Sequence, residues 1–145
     1  VSATALAKED IMLKGGCSCG KVRYEIVGMP FYSTICHCVD CRRISGAPFV
    51  AWFSVRQSAF RFVLGEPAAL ASSKSVARAF CADCGTHLTY QHKDFPGEID
   101  ISTCSLDAPE QVPPLHHTWT SQRVPWVRVS DALPKHAGSY MSPTR

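Results

Sequence analysis

The spacing of the cysteines constrains this chain more than anything else in it. They fall as Cys17-Ser18-Cys19, Cys36-His37-Cys38-Val39-Asp40-Cys41 and Cys81-Ala82-Asp83-Cys84, with Cys104 alone. Neighbours this close make poor disulfides, because the bridge demands a particular dihedral and Cα separation. They make good metal pairs. A tetrahedral zinc with bonds of roughly 2.3 Å holds its sulfurs about 3.8 Å apart, and alternate residues on a strand share a face. A C-x-x-C pair reaches that separation through a tight turn, which Gly85 after Cys84 suits. No secretory leader is legible near the start, so the chain is expected to be cytoplasmic, where clustered cysteines favour metal over disulfide.

Two pairs and one triplet predict two different sites. Cys17, Cys19, Cys81 and Cys84 complete a closed four-thiolate shell, the pattern of a structural zinc stapling the start of the fold to its middle. The alternative is four buried free cysteines. Cys36, Cys38 and Cys41 supply three thiolates, which leave a fourth position for water or a substrate group, the pattern of a reactive zinc. Two alternatives stay open for the triplet: closure by a fourth protein ligand such as His37, or a redox dithiol. His37 sits between two ligating positions and is expected to point to the opposite face of its strand.

Hydrophobic residues make up 46% and charged residues 19% of the chain, which excludes a fully disordered chain or a repeat array. The 145 residues suit one domain. No apolar run approaches the about 20 residues of a spanning helix, so no membrane partner is expected. The formal charge of +3 would suggest nucleic acid, but seven thiolates holding two zinc ions would cancel it. No basic run exceeds the pair Arg42-Arg43, so no patch is ready to anchor phosphates.

Strand signals dominate. In residues 21–27, Val22, Tyr24 and Ile26 alternate with Lys21, Arg23 and Glu25, the period of a half-buried strand. Further strands are predicted over 31–35, 49–55, 60–64, 76–80, 87–91 and 98–103, with glycine and proline turns between them. Only 39–45 suits a short helix, closed by Gly46 and Pro48. The expected fold is all-β with little helix, and the small polar end from Gly138 is expected to fray.

Other candidates carry weaker expectations. Cys104, in an apolar stretch, is expected to be a small buried hydrophobe. His116 and His117 alternate in direction, so at most one should face inward, and neither is expected to touch metal. Trp52, Trp119 and Trp126 are expected in strands as core or pocket wall. Arg42 and Arg43 follow the triplet and either meet a substrate carboxylate or lower a thiolate pKa, or are simply solvated. Asp40 and Asp83 are expected to organise their metal loops through backbone hydrogen bonds. No nucleophile elbow, P-loop or dinucleotide fingerprint is present in the sequence.

The runs Gly15-Gly16-Cys17-Ser18-Cys19-Gly20-Lys21-Val22-Arg23-Tyr24, Cys36-His37-Cys38-Val39-Asp40-Cys41-Arg42, Ser45-Gly46 and Phe80-Cys81-Ala82-Asp83-Cys84-Gly85-Thr86 together resemble the glutathione-dependent formaldehyde-activating enzyme (GFA, or CENP-V) family. Ser105-Leu106-Asp107 and the stretch from His116-His117 through Trp126 to Leu133-Pro134 resemble its C-terminal half. The resemblance implies a β-tent domain over 15–134, between an extension at 1–14 and a tail at 135–145. It implies a structural zinc at Cys17, Cys19, Cys81 and Cys84 and an active-site zinc at Cys36, Cys38 and Cys41. It also implies a carbon-sulfur lyase akin to S-(hydroxymethyl)glutathione synthase. The leading expectation is therefore a zinc enzyme joining glutathione, or a related thiol, to formaldehyde or another small carbonyl, or running the reverse. The second is a non-catalytic zinc module for a protein or nucleic-acid partner, as the family's centromere-associated members suggest.

Overall fold

The computed structural model of the chain describes residues 11–140. Its strands are β1 (Met12–Gly16), β2 (Arg23–Val27), β3 (Phe31–Cys36), β4 (Val50–Arg56), β5 (Phe60–Leu64), β6 (Ala68–Ala71), β7 (Val76–Phe80), β8 (His87–His92), β9 (Glu98–Ser102) and β10 (His116–Thr118), with one α-helix, α1 (Val39–Ser45). The fold is all-β with little helix, and no helix among the described residues is long and apolar enough to cross a membrane.

The strands form two sheets, one ordered β1-β2-β5 and one ordered β10-β3-β4-β9-β8-β7-β6. Pairing is antiparallel except where β10 lies parallel to β3. Alternation along the strands explains how the sheets meet. Phe53 and Val55 of β4, Leu88 of β8 and Ile99 and Ile101 of β9 form a buried core with Leu13, Tyr24, Ile26 and Phe60 of the smaller sheet. Burying a side chain of this size contributes about 1.5–3 kcal/mol. Ser54 and Asp100, which alternate with these core residues on β4 and β9, emerge on the opposite face of the large sheet together with Tyr90, which pairs with Asp100, and line a cavity there. A register shift in the β7–β8 pairing lets Leu88 and Tyr90, two residues apart, face opposite ways.

The predicted strands at 60–64 and 76–80 and the helix at 39–45 match the observed elements. Three strands escaped the sequence reading. β1 ends in Gly15-Gly16, β6 is nearly all alanine, and β10 has three residues, so none carries a β-branched or aromatic alternation. Met12–Gly16 is thus a strand that runs across the expected boundary between the 1–14 extension and the domain, and residues 1–10 lie outside the described residues. The strand expected over 98–103 gives way at Thr103 to a single 3-10 turn, Thr103–Ser105. That turn puts Cys104 at the surface rather than in the core.

The glycines of β1 have a steric reason. A Cβ on Gly15 would lie 2.4 Å from Tyr24 Oη and 2.5 Å from the Ser105 carbonyl oxygen. Tyr24 Oη donates to Ser105 Oγ at 2.7 Å, because that hydroxyl spends its own proton on the Ser102 carbonyl, also at 2.7 Å. Gly15→Ala is expected to cost about 1–3 kcal/mol by overpacking this contact. The check is a lowered denaturant midpoint at unchanged m-value; an unchanged midpoint would show that Tyr24 moves aside freely.

Residues 135–140 are tied to β10, which their composition did not imply. His117 bridges in parallel to Lys135, the Trp119 amide donates to the Gly138 carbonyl at 3.0 Å, and the Tyr140 ring lies 4.4 Å from that of His116. Residues 135–140 thus cover β10, and against the expected fraying Gly138 is held by a backbone hydrogen bond and Tyr140 by ring contacts with His116 and His136. Residues 141–145 lie outside the described residues.

Candidate metal centres and the cavity

The first cysteine group is built from two similar loops. In one, the Cys17 amide donates to the Val22 carbonyl at 3.0 Å and Gly20 turns the chain with φ 79°. In the other, the Cys81 amide donates to Thr86 at 3.0 Å and Gly85 turns with φ 76°. Positive φ is what lets each loop point its thiols inward, and it favours glycine at both turns. Cys17 Sγ lies 3.6 Å from Cys19 Sγ, and Cys19 Sγ lies 3.7 Å from Cys81 Sγ. These match the about 3.8 Å spacing that tetrahedral zinc requires, and all four sulfurs lie within 4.8 Å of one another. The set could hold a metal ion. The Val22 amide also donates to Cys17 Sγ at 3.2 Å, and the Thr86 hydroxyl, with amides behind it, pulls the Cys84 thiol down to about 5, both of which favour thiolate. Asp83 makes no side-chain hydrogen bond to the backbone of its own turn, contrary to expectation. It pairs with Lys21 of the other loop at 3.4 Å, so the charge joins the two loops.

The second group is assembled where a strand becomes a helix. Cys36 ends β3, Cys38 caps α1, and Cys41 lies one turn into it. Cys38 Sγ accepts from the Cys41 amide at 3.3 Å, doing the work usually done by a serine or aspartate cap. The three sulfurs lie within 4.8 Å of one another. Hydrogen bonds from Cys36 and Cys41 pull the Cys38 thiol far below its ordinary range. The same contacts work in reverse on their partners: Cys38 pushes Cys36 up to about 11, and Cys36 with Cys38 pushes Cys41 up further. Three thiols this close oppose one another's ionisation, and a cation is what would let all three ionise.

This triplet faces a cavity of about 740 Å³ on the open side of the large sheet. Its wall includes Trp52, Arg78, Tyr90, Asp100 and His116, while α1, Trp119 and Tyr140 contribute further lining. Burial, and then the nearby Asp100 carboxylate, hold the Tyr90 phenol protonated above its usual range. Tyr32, also in the wall, adopts φ 49°, an uncommon conformation for a bulky residue that the bulge in β3 imposes.

The structure brings the predicted triplet and the predicted quartet together and leaves their flanking residues in mixed roles. His37 points away from the cavity, as expected, and enters a buried chain. His117 Nε2 donates to Asp131 at 2.9 Å, so His117 Nδ1 is the acceptor for His37 Nε2–H, also at 2.9 Å. The chain fixes both tautomers and steadies the segment between two ligands. His116 and His117 are both buried, contrary to the expectation that one at most would be. Both faces of β10 are covered, one by His37 and Asp131 and the other by His136 and Tyr140. Neither belongs to a metal-ligand group. Trp52 and Trp119 are pocket wall, but Trp119 follows β10 rather than lying in a strand, and Trp126 sits in a turn, 72% exposed. Arg42 and Arg43 fall in the last turn of α1 and do not line the cavity, whereas Asp40 does.

Sequence reasoning missed Arg78, Tyr90 and Asp100. The signal was there in part. Arg78 is the one charged residue in an otherwise apolar strand, and it is 5% exposed.

The family model described as glutathione-dependent formaldehyde-activating enzyme matches residues 12–122. A solved structure of a Rhodobacter sphaeroides protein aligns with a TM-score of 0.59 at 24% identity, over 72% of this chain and 99% of that one. At that identity the likeness speaks for the fold.

Proposed function

This chain belongs to the glutathione-dependent formaldehyde-activating enzyme family, and from that membership we propose that it is a zinc-dependent carbon-sulfur lyase. It adds glutathione or a related thiol to formaldehyde or another small carbonyl, or reverses that addition. The observation that carries this reading is a three-thiol group, with no fourth protein ligand among the described residues, facing a cavity large enough for a tripeptide-sized ligand. We assign Cys36, Cys38 and Cys41 to a zinc with one open position and Cys17, Cys19, Cys81 and Cys84 to a closed structural zinc. A bound zinc would lower the pKa of an incoming thiol so that it is ionised at neutral pH.

The chain's own residues do the rest. Cys36 and Cys38 are held on either side of His37, whose buried bond to His117 fixes the segment. The cavity aligns the thiol sulfur with the carbonyl carbon, which converts a two-body encounter into a positioned one. As the sulfur-carbon bond forms, the carbonyl oxygen takes the electron pair and then the proton the thiol released. The Thr34 hydroxyl gives its proton to the His116 carbonyl, so the hydroxyls of Tyr90 and Thr118, which also line the cavity, are among the donors that can serve that oxygen.

Cobalt-loaded protein tests this. Added glutathione should raise sulfur-to-cobalt charge-transfer absorption as a fourth sulfur joins the triplet, and the zinc form should speed equilibration of the formaldehyde adduct. A spectral response without acceleration would overturn the lyase assignment and leave a thiol- or partner-binding role. No response to any thiol would mean the site is closed.

A further inference from the structure

We propose that Arg78 determines substrate specificity by binding a carboxylate on the thiol substrate, so that the cavity selects anionic thiols. The proposal rests on the function assigned above, since it supplies the identity of the sulfur-bearing ligand. Arg78 is the one lysine or arginine among the described residues lining the cavity, and it is 5% exposed. A buried guanidinium ordinarily finds a carboxylate. This one has Ser72 Oγ on its Nε at 3.3 Å and the Tyr90 ring beneath it at 4.8 Å, while its Nη1 is buried without a hydrogen-bond partner. Two more buried polar atoms of the same wall are also unpartnered, Trp52 Nε1 and His116 Nδ1. Buried polar atoms left open like this are rare in a folded protein, and the three side chains that carry these line one cavity.

Position supports the pairing. Arg78, Tyr90 and Asp100 lie directly across from one another on β7, β8 and β9. Tyr90 also packs against the cluster of Cys36, Cys41 and Trp52. The guanidinium therefore stands one aromatic ring away from the thiolates. A ligand with sulfur at the triplet and a carboxylate at the end of a short arm reaches both. Arg78 presents a planar fork of donors matched to carboxylate geometry.

The experiment compares glutathione with its diethyl ester on cobalt-loaded protein, followed by the charge-transfer band. Wild type should half-saturate with glutathione at a concentration at least about tenfold lower than with the ester, the factor expected from charge-assisted hydrogen bonds. Arg78→Gln should close that gap while leaving the ester's half-saturation in place. An undiminished gap in Arg78→Gln would overturn the proposal. The independent measurement uses S-methylglutathione, which keeps both carboxylates but has no free thiol, on the zinc-loaded wild-type chain. It should shift the Arg78 Nε–H resonance; an unmoved resonance overturns the proposal even if Arg78→Gln fails to fold. If no thiol alters the cobalt spectrum, the lyase reading falls separately, and the S-methylglutathione shift alone decides whether Arg78 takes a carboxylate.

Discussion

Cys81→Ser should leave no cooperatively folded protein at 25 °C. Cys81 is 1% exposed and belongs to the main core together with Cys17. Its loop joins two strands of the large sheet, and the Cys17 loop joins two strands of the small one. A metal held by both loops therefore clamps sheet to sheet. Structural zinc contributes about 10–16 kcal/mol in small domains, as much as the whole stability of about 5–15 kcal/mol that such a domain possesses. Removing one thiolate also leaves three others crowded in a half-buried space without a counter-ion. Far-ultraviolet circular dichroism with elemental analysis is the check: the wild type should carry two zinc ions per chain, and the variant should lose its melt. A variant melting within a few degrees of wild type would show that this metal does not hold the sheets together.

Cys41→Ser should do the reverse. Cys41 sits with Cys36 and Trp52 in a small cluster on the cavity side, separate from the main core. The fold should survive with one zinc per chain. Altering even a residue behind a ligand costs about 10–100-fold in metal affinity, so losing the ligand itself should empty the site at micromolar metal. The thiol-induced cobalt band should vanish, and adduct formation should fall to the rate without protein. If Cys41→Ser and Cys81→Ser unfold alike, the triplet is a second structural site and the lyase reading is lost.

The cysteine groups were legible in the sequence because their geometry is local. Alternate residues on a strand and a C-x-x-C turn dictate where the sulfurs go, whatever the rest of the chain does. The helix at 39–45 and the strands at 60–64 and 76–80 were legible for the same reason. What escaped depends on distant partners. β6 is a strand because β7 pairs with it, not because alanines favour one. His116 is buried because residues after Pro134 return to cover it, and nothing in the His116-His117 doublet foretells that. Cys104 reaches the surface because a 3-10 turn interrupts the predicted strand one residue before it. Arg78 was visible as an oddity, a cation in an apolar strand, but only the register across β7, β8 and β9 gives it a neighbourhood.

The large sheet works as a partition. On one side Leu88, Ile99 and Ile101 are committed to the core; on the other, Tyr90 and Asp100 of the same strands face the cavity, with Arg78 over the Tyr90 ring and the Ser54 hydroxyl on Asp100. Because Asp100 alternates with Ile99 and Ile101, and Tyr90 pairs with it across the sheet, a substitution at 90 or 100 changes what the cavity accepts without altering the volume packed against the small sheet. Mutations on the two sides should therefore combine nearly independently. A lineage built on this plan can change what the cavity accepts in single steps, its foldability untouched, and the same property makes the cavity face the place to begin when redesigning what the protein binds.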